Sequence, residues 1–100
     1  MKKHFALKLI ALRPTFAMDM TENERKIMTQ HVQYWTDLMN KGMVIVFGPV
    51  MDPNGVYGLG IVEVDDEEQV RTLTANDPAA TINRYEIYPM RAILPGKPSQ

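Results

Sequence analysis

The sequence predicts an α+β domain with elements in the order β-α-β-β-α-β. Three observations support this fold class: four stretches with a strand pattern, two helical segments with capping signals, and turn residues between them. With right-handed crossovers, this order places both helices on one face of an antiparallel four-stranded sheet. The arrangement is the ferredoxin-like split βαβ fold, whose sheet order is usually 4-1-3-2.

The N-terminal stretch has the pattern of a strand. Residues 4–12 place apolar side chains with period two. Two lysines precede them, as in a signal peptide, but Lys8 interrupts the apolar run and Arg13-Pro14 ends it without a small-residue cleavage site. We therefore expect a first strand here, followed by a loop over residues 13–20.

The first helix carries start and stop signals. Thr21 and Glu24 have the spacing of a capping box, and Gly42 is suited to end a helix that runs to about Lys41. At 100° per residue, one side of this helix forms an apolar stripe. The stripe consists of Ile27, Met28, His31, Trp35, Leu38 and Met39.

Two strands follow the helix and are predicted to pair through a turn. Residues 43–50 are nearly all apolar, which suits burial on both faces. Residues 51–55 carry the Pro-Asn-Gly chemistry of a turn, and residues 56–64 form the return strand. Gly58 and Gly60 lie on one face of that strand, where missing side chains leave room for a helix, a ligand or another backbone.

The second half of the motif is shorter. An acidic start predicts a second helix over residues 65–76. Residues 77–83 are expected to form a turn or a single helical turn, and residues 85–93 alternate as a fourth strand. Pro89 lacks a backbone N–H, so this strand should lie at a sheet edge.

Length and composition limit the class of protein. A chain of 100 residues with 45% hydrophobic and 23% charged residues is typical of one globular domain, expected here over residues 1–95 with a loose tail over residues 96–100. A net charge of −1 argues against nucleic-acid binding. The lack of a long apolar run argues against a membrane protein, and the lack of cysteine excludes disulfides and fits a cytoplasmic location.

The second face of the sheet is expected to need a partner. Val44 and Val46, or their neighbours Ile45 and Phe47, must point away from the helices. A small monomer has nothing left to cover such a contiguous apolar face. The sequence therefore predicts a homodimer with the sheets packed face to face.

His31 is the strongest candidate for chemistry, because it lies within the apolar stripe of the long helix. It is either a buried histidine bonded to a backbone carbonyl or a general acid or base. Asp77 is its candidate partner, although Asp-Pro also favours a turn or a cap. Since both helices pack on the same face of the sheet, the two side chains can meet.

The chain carries an ordered set of motif residues between about residues 4 and 93. They are His31, Tyr34-Trp35, Leu38, Gly42, Gly48-Pro49, Gly55, Gly58, Asp77-Pro78, Tyr85-Glu86 and Pro89. This set resembles the YCII-like family. The resemblance implies a dimeric α/β barrel and a candidate His-Asp site at His31 and Asp77. One relative of the family is a dehydrochlorinase, and muconolactone isomerases share the general barrel. The resemblance therefore also implies elimination or isomerisation. Met28 stands where many members carry arginine.

A small-molecule pocket is expected between the sheet and the first helix. Gly48 leaves open space beside His31, so that a ligand can approach the backbone. Gly48 and Pro49 are therefore candidate substrate-binding residues, although Pro49 also suits a strand end. Trp35, Tyr57 and Arg91 are further candidates for the pocket lining, with core packing the alternative for Trp35.

No metal or cofactor site is predicted. The histidines, His4 and His31, are too few for a zinc site without cysteine. The acidic run at residues 65–68 is interpreted as a helix cap. The glycines of residues 55–60 lack the following helix and the spacing of a dinucleotide-binding loop.

Two functions remain open from the sequence. The first is a small-molecule enzyme that uses His31 and Asp77 for proton transfer, in isomerisation, elimination or lyase-type chemistry on a small organic acid or aromatic-derived substrate. The alternative is a non-catalytic dimeric module that binds a small ligand or assists another enzyme. The absence of a Ser or Cys nucleophile motif favours the alternative.

Overall fold

A computed structural model describes residues 1–96, which form a single four-stranded antiparallel sheet with helices. Residues 97–100 of the expected loose tail lie outside the described part of the chain. The elements are β1 (Lys3–Ala11), α1 (Phe16–Asp19), α2 (Glu22–Asn40), β2 (Val44–Val50), β3 (Tyr57–Val64), α3 (Glu67–Ala75), a 3-10 turn (Pro78–Thr81) and β4 (Asn83–Met90).

The strand order is β2-β3-β1-β4, which confirms the ferredoxin-like prediction. β4 lies at a sheet edge, as Pro89 indicated. The strand starts and ends earlier than expected, because its register is set by β1. Ala11 pairs with Asn83 and His4 with Met90, so β1 offers little further backbone to pair with beyond Met90.

The predicted signals at both ends of α2 are present. The side chain of Thr21 accepts a hydrogen bond from the Glu24 backbone N–H at 3.1 Å, and the Glu24 carboxylate accepts from the Thr21 N–H at 2.8 Å. Gly42 follows the helix with φ +85°, a conformation that favours glycine. No helix within residues 1–96 is long and apolar enough to cross a membrane.

A short helix, α1, replaces the expected loop before α2. Phe16 is 5% exposed and fixes this segment to the protein interior. Arg13 ties it to the start of α2, since its guanidinium donates to the carboxylates of Asp19 and Glu24 at 2.8–3.0 Å. Sequence patterns miss a helix this short because it completes barely one turn.

The hydrophobic core lies between the sheet and the helices, but it does not include both faces of β2. Val44 is buried, whereas Ile45 and Val46 are 39% and 54% exposed in the single chain. The prediction of burial on both faces is therefore wrong for this chain alone: β2 is an edge strand with a register irregularity between Val44 and Val46. The core consists of Phe5, Leu7, Trp35, Leu38, Val44, Val62, Val64 and Val70.

The face of the sheet opposite the core carries an apolar row that crosses all four strands. The strand registers place Val46 beside Ile61, Ile61 beside Ala6, and Ala6 beside Tyr88. Val46 and Tyr88 are more than half exposed, while Ile61 and Ala6 are partly covered by their neighbours. We call these four residues the outer row.

Candidate functional site

A cavity of about 340 Å³ lies between α2 and the sheet. Glycine makes part of this space. A Cβ atom at Gly48 would find nothing within 4 Å, and one at Gly60 would come no closer than 3.7 Å to Phe47 and 3.8 Å to Trp35. The volume is within the range of small-molecule binding sites. The apolar lining includes Leu7, Leu9, Phe16, Met20, Met28 and Phe47.

His31 reaches the cavity from the inner face of α2. Its Nδ1 lies 2.7 Å from Oδ2 of Asp77, which is a hydrogen-bond distance. The His31 side chain is 13% exposed and the Asp77 side chain is fully buried. The structure thus brings together the two residues that the sequence proposed as partners. Their catalytic role stays a prediction.

Asp77 is held by four donors from three segments of the chain. It precedes the 3-10 turn, and its Oδ1 accepts a hydrogen bond from the Ala79 backbone N–H at 2.9 Å. Its Oδ2 accepts from His31, from Trp35 Nε1 at 2.8 Å and from the Tyr85 hydroxyl. The capping role considered from the sequence is therefore present together with the contact to His31.

The donors keep the Asp77 carboxylate ionised. Burial by itself raises the pKa of Asp77, but hydrogen bonds from His31, Tyr85, Trp35 and the Ala79 N–H outweigh it and leave the pKa below its ordinary value. Burial, followed by the hydrogen bond to Asp77 and its negative charge, raises the pKa of the Tyr85 hydroxyl. Tyr85 therefore remains a donor rather than a base.

The ionised carboxylate determines the tautomer of the imidazole. A carboxylate only accepts hydrogen bonds, so Nδ1 of His31 must carry the proton that Asp77 receives. In neutral His31 the lone pair is then on Nε2. Within residues 1–96, Nε2 makes no hydrogen bond, yet it is not one of the fully enclosed polar atoms that lack a partner. It is available to accept a proton from a bound molecule.

The predicted pocket residues fall into two groups. Gly48, Pro49, Trp35 and Tyr57 all line the cavity, and their part in ligand binding stays a prediction. Trp35 also belongs to the core and is 2% exposed, so packing and lining coexist. Arg91 does not line the cavity. It follows the end of β4, six residues beyond Tyr85, which is about 20 Å at the rise of a strand.

Two polar residues of β4 were not predicted for the site. Tyr85 pairs with the buried Leu9 of β1, and Asn83 pairs with Ala11 at the end of the same strand. Both side chains line the cavity. Period-two spacing places Asn83, Tyr85 and Ile87 on one face of β4. Ile87 packs against the hydrophobic core, so this face is the inner one.

No metal site is evident in the described chain. Within residues 1–96, no three or more side chains of histidine, aspartate or glutamate are arranged to hold a metal ion. The acidic run at residues 65–68 serves as a cap, since the Asp66 carboxylate accepts from the Gln69 backbone N–H at 2.9 Å.

The fold and the site define a ferredoxin-like α+β protein with a buried His-Asp pair beside an apolar cavity. A family model, the YCII-related domain, matches residues 6–93, and the chain belongs to this family. No curated protein matches it significantly. Among solved structures, the uncharacterized protein TM1266 from Thermotoga maritima matches with a TM-score of 0.57 and 12% identity, over 91% of this chain and 100% of that chain. At this identity the likeness shows the fold alone.

Proposed function

We propose that the protein is an enzyme that moves a proton on a small molecule, with His31 as general base and acid and Asp77 as its positioning partner. The reaction is an isomerisation, an elimination or a lyase-type step on a small organic acid or an aromatic-derived substrate. One observation carries this proposal: an imidazole with its Nδ1 bound to a buried carboxylate lines a cavity of small-molecule size.

In the proposed mechanism, Nε2 of His31 removes a proton from an acidic C–H of the substrate. The imidazolium that forms is stabilised by the negative charge of Asp77, as in other His-carboxylate pairs. In an isomerisation, the proton returns from Nε2 to a different atom of the substrate. In an elimination, the electron pair of the broken C–H bond forms a double bond and a leaving group departs with its own pair.

The surroundings of the pair support such a role. Trp35 and Tyr85 hold Oδ2 of Asp77 in place, so the carboxylate needs little reorganisation when His31 becomes charged. The lining is largely apolar, which strengthens electrostatic interactions between a bound substrate and the imidazole. A general base at such a position typically contributes a rate factor of about 10²–10⁴.

Hydrogen–deuterium exchange tests the proposal without knowledge of the natural substrate. Small lactones and ketones with acidic C–H bonds are incubated with the protein in D₂O, and loss of the C–H signal is followed by NMR. We expect exchange of at least one probe with the wild-type protein. His31→Gln should lower its rate by about 10²-fold or more.

His4 provides the matched control, because it is the other histidine and also contacts a carboxylate. Its Nε2 lies 2.9 Å from Oε2 of Glu63, and it does not line the cavity. His4→Gln should leave the exchange rate unchanged. Equal exchange in wild-type protein and folded His31→Gln would exclude His31 as the base.

The second candidate function is a non-catalytic module that binds a small ligand or assists another enzyme. The composition of the cavity favours it, since the lining found among residues 1–96 has no Ser, Thr or Cys that could act as a nucleophile. The same probes separate the two functions. Binding of the probes, followed by chemical-shift changes around the cavity but without deuterium exchange, would support the module.

The proposal includes a cytoplasmic homodimer in which two sheets pack face to face as a dimeric α/β barrel. The outer row supports this assembly, because Val46 and Tyr88 expose apolar surface that no helix of the described chain covers. An exposed apolar patch on a sheet is typical of an interface. The two-fold arrangement would place the same row of both copies in contact.

A further inference from the structure

Asn83 is a buried polar residue that the proposed proton transfer does not use. It begins β4, is 8% exposed and lines the same cavity as His31. Its Nδ2 donates to the sulfur of Met28 on α2 at 3.6 Å. Its side-chain carbonyl oxygen, Oδ1, is buried and accepts no hydrogen bond within the described residues.

An unpaired carbonyl oxygen of this kind is unusual in a folded protein. Buried polar atoms are nearly always hydrogen-bonded, and each exception calls for a physical reason. Asn83 differs from an unpaired group inside a packed core, because its side chain borders an open cavity. Because Oδ1 itself is buried, a small rotation of the Asn83 amide would be needed to bring it to a hydrogen-bond donor of a molecule in the cavity.

The charge of the cavity limits what that molecule can be. Within residues 1–96, no Lys, Arg, Asp or Glu lines the cavity. His31 must be neutral to act as a base, and the Tyr85 hydroxyl is occupied by Asp77. A ligand anion would therefore lose its hydration without gaining a cationic partner among residues 1–96. An uncharged ligand with an apolar body suits the lining.

The neighbour of Asn83 on α2 indicates the size of that molecule. Asn83 contacts Met28, and the backbone of Met28 precedes that of His31 by three residues, a rise of about 4.5 Å along the helix axis. A single six-membered ring spans a similar length. A ring of this size, with its donor group at one end, would bring its opposite end towards the imidazole.

We propose that Asn83 determines ligand specificity by accepting a hydrogen bond from a hydroxyl or N–H group of an uncharged, ring-sized apolar substrate. The statement that the substrate reacts at the end opposite its donor group rests on the proposed function of His31. Recognition by Asn83 does not, since it requires binding alone. This proposal narrows the substrate from a small organic acid or an aromatic-derived molecule to an uncharged ring compound that carries a hydroxyl or N–H group.

Phenol and toluene are a suitable pair of probes, because they share a ring and differ in a donor group. Their affinities are measured by NMR titration with wild-type protein and with Asn83→Leu, a change of similar volume. We expect the ratio of phenol to toluene affinity to fall about fivefold in the variant, which corresponds to one hydrogen bond. Benzoate should bind the wild-type protein more weakly than phenol.

Asn40→Leu is the matched control, since Asn40 is exposed at the last turn of α2 and does not line the cavity. Its affinity ratio should equal that of the wild-type protein. A second measurement needs no variant: phenol, but not toluene, should shift the side-chain carbonyl ¹³C resonance of Asn83. An unchanged ratio in Asn83→Leu, no such shift, or no binding of either probe would overturn the inference. Failure of deuterium exchange with preserved phenol selectivity would reject only the proposed catalysis.

Discussion

His31 and Trp35, one turn apart on α2, donate hydrogen bonds to the same oxygen atom of Asp77. The spacing of four residues puts both side chains on the inner face of the helix. The shared acceptor comes from the segment after α3, more than 40 positions further along the chain. One carboxylate oxygen thus joins a proposed catalytic group to a residue of the hydrophobic core.

Replacement of Asp77 by alanine is expected to lower the free energy of unfolding by about 3–5 kcal/mol. The change leaves buried donors of His31, Trp35 and Tyr85 with one acceptor fewer. Urea denaturation measures the effect. Asp37→Ala is the control, because Asp37 is exposed and, within residues 1–96, its carboxylate accepts only from Gln33. It should change stability by less than about 0.5 kcal/mol. Equal effects of the two changes would contradict the prediction.

Stability should fall in acid because of Asp77. Its pKa in the folded protein is below the ordinary value of 3.8, so the ionised form favours folding. This contribution is complete above the pKa of the unfolded chain and is lost as the pH falls through the folded-state pKa, below 3.8. Denaturation of wild-type protein and Asp77→Asn between pH 7 and pH 2 checks the prediction. The difference between them should shrink below about pH 4; a constant difference would refute it.

Tyr85→Phe should raise the pKa of Asp77 and lower stability by about 1 kcal/mol. The variant removes one donor to the carboxylate and keeps the aromatic ring. Titration of the Asp77 side-chain carbonyl ¹³C resonance measures the pKa. Tyr88→Phe is the matched control, since that hydroxyl donates to Glu86 on the exposed surface at 2.7 Å. The prediction fails if both variants leave the Asp77 titration unchanged.

Two glycines of the hairpin should respond differently to alanine. A Cβ at Gly58 would lie 3.2 Å from the Cβ of Leu9, so Gly58→Ala forces a shift and should cost about 1–3 kcal/mol. Gly48 has open space at that position, and Gly48→Ala should stay within about 1 kcal/mol of wild type. Thermal unfolding compares them. A larger loss in Gly48→Ala would show that the space at Gly48 is needed for another reason.

The proposed dimer depends on the outer row. Val46→Glu places a charge on an exposed position of that row, so the fold should be retained while the copies separate. Sedimentation or light scattering should give a dimer for wild type and a monomer for the variant. Met18→Glu, at an exposed position of α1 that is not part of the outer row, should remain dimeric. A wild-type monomer at micromolar concentration would reject the assembly itself.

Local signals predicted the elements that they control. The Thr21-Glu24 capping box and Gly42 gave the ends of α2, and the turn residues before Tyr57 gave the hairpin. The predicted topology allowed His31 and Asp77 to meet, since both helices were expected on one face of the sheet, but it did not establish their contact. These features depend on neighbours in sequence or on chain order alone.

The rest depends on register, which sequence spacing leaves open. Tyr85 reaches Asp77 because β4 pairs with β1 at Leu9, and Arg91 lies outside the cavity because β4 ends at Met90. The role proposed for Asn83 depends on the same strand register. It also depends on the finding that its Oδ1 accepts no hydrogen bond within residues 1–96. α1 was missed because burial of Phe16, a tertiary contact, stabilises it.

The carboxylate of Asp77 has consequences for any genetic study of this protein. The same carboxylate that orients an imidazole also closes the junction between a helix and an edge strand through Oδ2, and a turn through Oδ1. An Asp77 variant would therefore lose part of its folded population at the same time as any catalytic turnover. The proposed chemistry and the folding of the chain then depend on one position, and separating them requires changes at His31, whose Nε2 makes no hydrogen bond within residues 1–96.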